Sequence, residues 1–183
     1  MSNKLLVVAG PTAVGKGTVV DHILKNYLNF HISVSATTRK PRPGEVDGKS
    51  YYFVSHDEFD KQIKAGQMLE FAVVHGDNKY GTPRKPVEEA LARGEHVILE
   101  IDIQGARQVK QAMPEAISIF IAPPSWEVLV DRLQARGTET AKEQQKRLET
   151  AKSELASQGE FDHVVINDEV ARCASEVVEL LKD

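Results

Sequence analysis

Gly10-Pro-Thr-Ala-Val-Gly15-Lys16 constrains this chain more than any other stretch, because it matches G-x-x-x-x-G-K between two segments of different periodicity. Ahead of it run the apolar residues Leu5 to Ala9, whose unbroken hydrophobicity suits a strand covered on both faces. Behind it, Gly17 to Leu28 carries Val19, Val20, Ile23, Leu24, Tyr27 and Leu28 at helical spacing. Strand, glycine-bearing loop and helix in that order make an anion cradle: the glycines let the backbone curl, amide N–H groups point inward, and the helix N-terminus favours negative charge. Gly10, Pro11, Thr12, Ala13, Val14, Gly15, Lys16, Gly17 and Thr18 are therefore the candidate triphosphate loop, with Lys16 as a movable cation for the β- and γ-phosphates. The plainer alternative is a glycine-containing turn with a surface lysine. Gly17 departs from the usual pattern, in which a Ser or Thr offers a hydroxyl to magnesium. Either Thr18 substitutes, or phosphates, water and a carboxylate hold the metal.

Three further apolar runs, Val97 to Ile101, Ile117 to Ile121 and Val164 to Ile166, read as buried strands. Helical segments separate and follow them: Pro86 to Arg93 before Gly94, Ser125 to Arg136 before Gly137, a capping box at Thr140 to Glu143 opening a helix to about Ser157, and Glu169 to Lys182. This alternation implies an α/β doubly wound parallel sheet. Between Ser33 and Thr82 the rhythm breaks into short strands (Ser33 to Thr38, Tyr51 to Val54, Met68 to Val74) around one helix that opens with Ser55-His-Asp-Glu58 and stops at Gly66. That segment reads as a small α+β insertion. The whole chain, 183 residues, reads as a single domain.

Composition excludes several function classes. The net charge of −4 argues against nucleic-acid binding through bulk positive charge. One cysteine, Cys173, cannot form an internal disulfide, and the six histidines are scattered without metal-ligand spacing. The apolar run near the N-terminus is too short for a signal peptide or a membrane span, which places the protein in the cytosol, away from membranes.

Two other regions carry chemistry. Glu100 and Asp102 sit at the C-terminal end of the second apolar strand, where carboxylates of nucleotide-binding sheets meet metal or ligand; a local strand-end hydrogen bond is the plainer reading. Ser35-Ala-Thr-Thr-Arg39-Lys-Pro-Arg42-Pro-Gly-Glu45 gathers two arginines, a lysine and three hydroxyls, with two prolines limiting its freedom. Arg39 and Arg42 suit bidentate bonds to a phosphate dianion, with Tyr51 and Tyr80 completing the cage, against the alternative of a solvated basic loop. Arg132 and Arg136 lie four apart, on one helix face, an arrangement more common on a solvated surface.

These stretches, together with Gly48 to Tyr51, Leu69-Glu70, Tyr80 to Thr82, Glu100 to Gly105, Phe120 to Pro124, Arg136 to Glu139 and Val165 to Asp168, resemble guanylate kinase in order along almost the whole chain. The resemblance implies ATP-dependent phosphorylation of GMP and dGMP by a P-loop core (1–33, 83–124 and 155–183) carrying a GMP-binding insertion (34–82) and a lid (125–154). It implies that Arg39, Arg42, Tyr51 and Tyr80 grip the GMP phosphate, and that Ser35, Glu70, Thr82 and Asp102 read guanine. Arg132, Arg136 and Arg147 would surround the transferring group beside Lys16, Arg136 and Asn167 would contact ATP, and Glu100, with Thr18, would lie near Mg2+. An acceptor-only carboxylate at Glu70 suits the N1 and N2 donors of guanine and opposes the unprotonated N1 of adenine. Two rivals remain at this level: a catalytically silent module of the same shape that binds phosphorylated peptides, and a related P-loop kinase for another phosphorylated small molecule. Monomer and homo-oligomer are both open.

Overall fold

The computed structural model describes residues 3–74, 76–135 and 141–181, with the side chains of 141 and 142 set aside. The expected strand after residue 4 is β1 (Leu5–Ala9), buried throughout. Its residues alternate between two apolar clusters, Leu6 and Val8 to one side and Leu5, Val7 and Ala9 to the other. A strand packed on both faces needs hydrophobic residues at every position, which is why the run does not alternate. The central sheet also contains β2 (Phe30–Ile32), β7 (His96–Glu100), β8 (Ile117–Ala122) and β9 (His163–Ile166), in the order β2-β7-β1-β8-β9, each pair parallel. The edge strand β2 lies outside the four runs seen in the sequence, because it has three residues and only partial burial.

One face of this sheet is covered by α1 (Lys16–Asn26) and α7 (Val170–Glu179). The other is covered by α3 (Arg84–Ala92) and α4 (Ile103–Ala112). The α3 helix begins at Arg84, so Pro86 sits inside its first turn rather than opening it. The α4 helix was not expected from the pattern; only Ile103, Ala106 and Val109 mark its buried stripe, and Asp102 caps it by accepting from Gly105 N at 2.7 Å. Cys173 is fully buried in α7, and burial pushes its thiol pKa up to about 11, which leaves it a core residue rather than a nucleophile.

The segment expected to be an insertion forms a second sheet of β4 (Tyr52–Phe53), β3 (Ala36–Thr37), β6 (Asn78–Pro83) and β5 (Met68–Val74), in that order. The β3 and β4 strands are two residues each, shorter than the predicted runs, and β6 was missed because Asn-Lys-Tyr-Gly-Thr-Pro has little apolar content. The helix α2 (His56–Lys64) starts where expected, with Ser55 accepting from Glu58 N. Phe59 from α2, fully buried, packs with Ala36 and Met68 on one face of this sheet. Gly81 is needed there: a Cβ would stand 2.6 Å from Glu70 O and 3.1 Å from the Phe59 ring. Glu70 and Thr82, paired in register on β5 and β6, point to the opposite face. Gln108 of α4 both accepts from Phe71 N (3.1 Å) and donates to Phe71 O (3.0 Å), which satisfies the edge of β5 and fixes the second sheet against the core.

Toward the C-terminus, α5 (Trp126–Gln134) is capped by Ser125, and α6 (Ala141–Ala156) leads back to β9. The cap at Thr140 and the stop at Gly137 lie outside the described residues, while the last helix ends at Glu179, with Leu180 as its C-cap, short of the expected Lys182. Truncating Phe59 tests the independence of the small core. Phe59→Ala is expected to lose about 3–5 kcal/mol in urea unfolding, whereas a loss below about 1 kcal/mol would mean that α2 does not hold the second sheet.

Candidate active site

The loop after β1 turns back on itself through two glycines in the left-handed half of backbone space, Gly10 (φ 148°) and Gly15 (φ 92°). A Cβ at Gly10 would lie 2.3 Å from Ile121 O, so the loop presses its backbone directly onto β8. Gly15 is the N-cap of α1 and offers no side chain to the helix end, leaving the amides of that end open to an anion. The Lys16 ammonium donates to Gly10 O (2.6 Å) and Pro11 O (3.2 Å), folded onto its own loop. Beneath the loop, Val14 O accepts from Asn167 Nδ2 (2.8 Å) and from Arg132 (3.1 Å), and Arg132 also donates to Asn167 O (3.0 Å). Asn167 is thus a buried buttress of the loop, and Arg132 bonds to the backbone rather than standing open toward the cleft.

Gly17 faces Glu100: a Cβ there would lie 3.6 and 3.7 Å from the two carboxylate oxygens. Glu100 remains open to water at the cleft mouth, yet the protein around it pushes its pKa up, partly offset by Lys16. Thr18 is exposed on the first turn of α1. On the far side of the loop, Glu154 of α6 accepts from Thr12 N at 3.2 Å. Glu154 is a contact the sequence does not reveal, since 142 residues separate the partners and no local pattern marks it.

The second cluster lies on and beside the second sheet. Arg39 donates through both terminal nitrogens to Glu45 (3.0 and 2.8 Å) and through Nε to Tyr80 Oη (3.1 Å). Its guanidinium also lies over the Tyr51 ring, 5.5 Å from the centroid, and Tyr51 meets Tyr80 edge-on at 5.9 Å. The Glu45 bond fixes the Arg39 charge and raises its already high pKa; in return Arg39, then the Arg42 amide, hold the Glu45 carboxyl below its usual range. Arg39, Tyr51 and Tyr80 are therefore brought together as expected, while the Arg42 side chain is exposed beside them. Glu45, at the end of the basic segment, is a partner of Arg39 that the sequence marks only by its place six residues on, after two prolines.

Glu70 is 7% exposed and accepts from the Thr82 hydroxyl at 2.6 Å. Burial raises its pKa, and Asp102 adds to the rise. A Cβ on Gly105 would sit 3.0 Å from its second oxygen and 3.4 Å from Asp102 Oδ1, so a glycine at the start of α4 lets the two acids approach. Ser35 is half-buried at the entry to β3, where its carbonyl accepts from Tyr52 N. Arg147 is exposed on α6, and Arg136 lies outside the described residues. A cavity of about 690 Å³ between α2 and the start of α3, lined by Ala36, Tyr52 and Arg84 among others, opens on the reverse face of the second sheet, away from Glu70.

A phosphate loop at the carboxyl edge of a parallel sheet, where the connection from β1 runs through α1 to β2 on one side and that from β7 crosses through α4 to β8 on the other, defines a nucleotide-binding protein of the P-loop class. A second cluster on the neighbouring sheet joins Arg39 to Tyr51, Tyr80 and Glu45. The guanylate kinase family model matches residues 2–183. Guanylate kinase of Leifsonia xyli subsp. xyli is 63% identical over 97% of this chain and 70% of its own, and that of Corynebacterium jeikeium 50% identical over 99% and 97%. The crystal structure of guanylate kinase from Anaplasma phagocytophilum superposes with a TM-score of 0.75 at 34% identity, covering 99% of this chain and 85% of that one. Shikimate kinase from Bacteroides thetaiotaomicron, at 13% identity and a TM-score of 0.53, shares the fold. The chain belongs to the guanylate kinase family.

The Arg132 buttress yields a stability test. Arg132→Met removes a donor shared by the carbonyls of two buried residues, Val14 and Asn167, and is expected to lower unfolding free energy by about 1.5–3 kcal/mol. Arg132→Lys, lacking the planar fork, is expected to recover less than half of that; chemical denaturation with a loss under about 0.5 kcal/mol for the Met variant would remove Arg132 from the loop's support.

Proposed function

We propose that the two clusters are the donor and acceptor halves of one site, through which the protein transfers the γ-phosphoryl group of ATP to GMP. The observation that carries this reading is the continuous path of contacts between them: Glu154, bonded to Thr12 N of the phosphate loop, lines one cavity with Asp102, and Asp102 meets Glu70 of the second sheet across Gly105. On this reading residues 34–82 are the GMP-binding segment, 125–154 the lid, whose last turn is anchored in the core through Ala151, and the remainder the core.

The loop from Gly10 to Thr18 holds the ATP phosphates, chiefly through the amides that converge at the start of α1, with Lys16 exchanging its two loop carbonyls for phosphate oxygens. Arg39, Arg42, Tyr51 and Tyr80 grip the GMP phosphate. Glu45 holds Arg39 in the orientation this requires. Glu70, Thr82, Asp102 and Ser35 read the guanine edge: an ionised Glu70 accepts from N1 and N2, and adenine would leave that buried acceptor facing another acceptor. These contacts address the base and the 5′-phosphate, so dGMP is a substrate as well.

The acceptor phosphate is itself the nucleophile. With a second pKa near about 6 it is largely ionised at neutral pH, so no side chain must remove a proton. An oxygen of GMP forms a bond to the γ-phosphorus as the bond to the β-γ bridging oxygen breaks, giving GDP and ADP. Catalysis then consists of alignment and of neutralising charge on the equatorial oxygens, the work of Lys16, Arg39 and the arginines from the lid side, Arg132 through the loop, Arg136 and Arg147. Asn167 contributes to the ATP side by supporting Val14. No group of three His, Cys, Asp or Glu among the described residues forms a metal cage. Glu100 beside Gly17 fits an ion that brings most of its ligands with the nucleotide, so Glu100 and Thr18 would hold Mg2+ on the ATP phosphates. When bound, Mg2+ supplies further charge neutralisation at the β- and γ-oxygens. No described helix is long and apolar enough to cross a membrane, and free nucleotides as substrates fit the cytosolic setting.

Purified protein with MgATP and each of GMP, AMP, CMP and UMP, followed by ADP formation, tests the assignment. GMP turnover is expected to exceed that of the others by about 10⁴-fold in kcat/KM, and Lys16→Met is expected to lose orders of magnitude in rate; equal turnover of all four nucleotides would defeat the guanine reading. Glu70 supplies a second test. Its pKa is raised above the ordinary 4.5, so protonation, which removes an acceptor from guanine, begins at higher pH than for an exposed glutamate. The KM for GMP should rise as pH falls toward that value, and should rise less in Glu70→Gln, which is weaker by about tenfold or more at neutral pH but has no carboxyl to titrate. A KM ratio between wild type and the Glu70→Gln variant that stays constant across the acid limb would exclude Glu70 as the base reader.

A further inference from the structure

A carboxylate inside an anion site demands a reason. The Glu154 side chain reaches the third residue of the phosphate loop from the last full turn of α6 and accepts from Thr12 N at 3.2 Å. That turn does not hang free. Ala151 is 1% exposed in the core, and Leu155 packs against the clusters on both faces of the sheet. Glu154 therefore projects from a fixed support, between two residues that anchor its helix.

The charge on Glu154 opposes any phosphate placed beside it, and Lys16 lies near enough to act on it electrostatically. Asp102 shares with it a cavity of about 410 Å³ between α4 and α6, so the acidic wall continues toward the acceptor side. An amide occupied by a carboxylate is withheld from the nucleotide, and the triphosphate is confined to the deeper amides that converge on the start of α1.

We propose that Glu154 is a positioning residue for phosphoryl transfer: by holding Thr12 N it ties the front of the phosphate loop to the anchored end of α6 and sets the register in which ATP lies. It acts through the loop backbone and does not touch the reacting atoms. The bond needs an acceptor of the right length and does not depend on its charge. This inference rests on the phosphate loop being the ATP site.

The test uses the full chain with Glu154→Gln, which keeps the acceptor oxygen, and Glu154→Met, which keeps the length without it. Both are assayed for kcat, the KM values for ATP and GMP, and the urea midpoint. The Gln variant is expected to retain at least about half of kcat, and the Met variant to lose about tenfold in kcat, as misalignment of reacting groups predicts, with its KM for GMP within about twofold of wild type. A Met variant within about twofold of wild-type kcat would overturn the proposal. So would a Gln variant as impaired as the Met variant, or a Met loss that appears in the KM for GMP rather than in kcat. Should the Met variant be too unstable to assay, Glu154→Ala, a better helix former, is read against the same limits. Lys16→Met separates the two levels: if it is inactive while Glu154→Met is normal, only the role of Glu154 fails, whereas an active Lys16→Met removes the ATP-site reading beneath it.

Discussion

The contact of Gly10 with the Ile121 carbonyl governs this molecule's chemistry. Because no side chain intervenes, the loop lies flat on β8, Gly15 turns left-handed, and α1 begins at Lys16 with no side chain capping its first amides. That geometry places partial positive charge at the carboxyl edge of the sheet before any ligand arrives. The supports that surround it, Asn167 and Arg132 on Val14 O and Glu154 on Thr12 N, come from three distant segments. They hold a strained turn in one shape, so little reorganisation remains to be done when phosphate binds.

Carboxylates engage N–H donors in both clusters. Glu45 holds Arg39 in a bidentate pair, and Glu154 holds the Thr12 amide. The two differ in consequence. Arg39 keeps contacts with Tyr80 and Tyr51 that orient it independently of Glu45, so its charge stays directed at the cage. Thr12 N has a single hydrogen to donate, and that hydrogen is already engaged. Glu70 belongs to a third category: a buried acid with one hydroxyl partner and an acidic neighbour, kept ready for donors.

The long elements were legible because their burial is uniform. β1, β7 and β8 are covered on both faces, and α1 and α5 carry clear apolar stripes or caps. The elements that escaped notice carry weak local signals for physical reasons. β2 is a three-residue edge strand, β6 is polar because one face meets the cleft and the other needs Gly81 against Phe59, and α4 has a stripe of only a few residues because half its surface faces Glu70 and Phe71. Arg132 shows the same limit for a site residue: the family resemblance implied that it surrounds the transferring phosphoryl group, whereas its guanidinium is taken up by Val14 O and Asn167 O.

Local order along the chain was enough to determine the phosphate loop, the parallel sheet around it and the basic segment with its tyrosines, since each depends on neighbours within a few turns or on a fixed motif. Membership of the guanylate kinase family was legible from the same motifs in succession. Only the tertiary structure decided which side of the loop Arg132 and Asn167 support, that Glu45 is the partner of Arg39, and that Glu154 comes within hydrogen-bond distance of Thr12. The Arg39 pair depends on how its loop folds back over six residues, whereas the contacts of Arg132, Asn167 and Glu154 depend on how segments more than a hundred residues from the loop dock across the sheet. Docking is set by the shape of the whole core, and no short stretch of sequence encodes it.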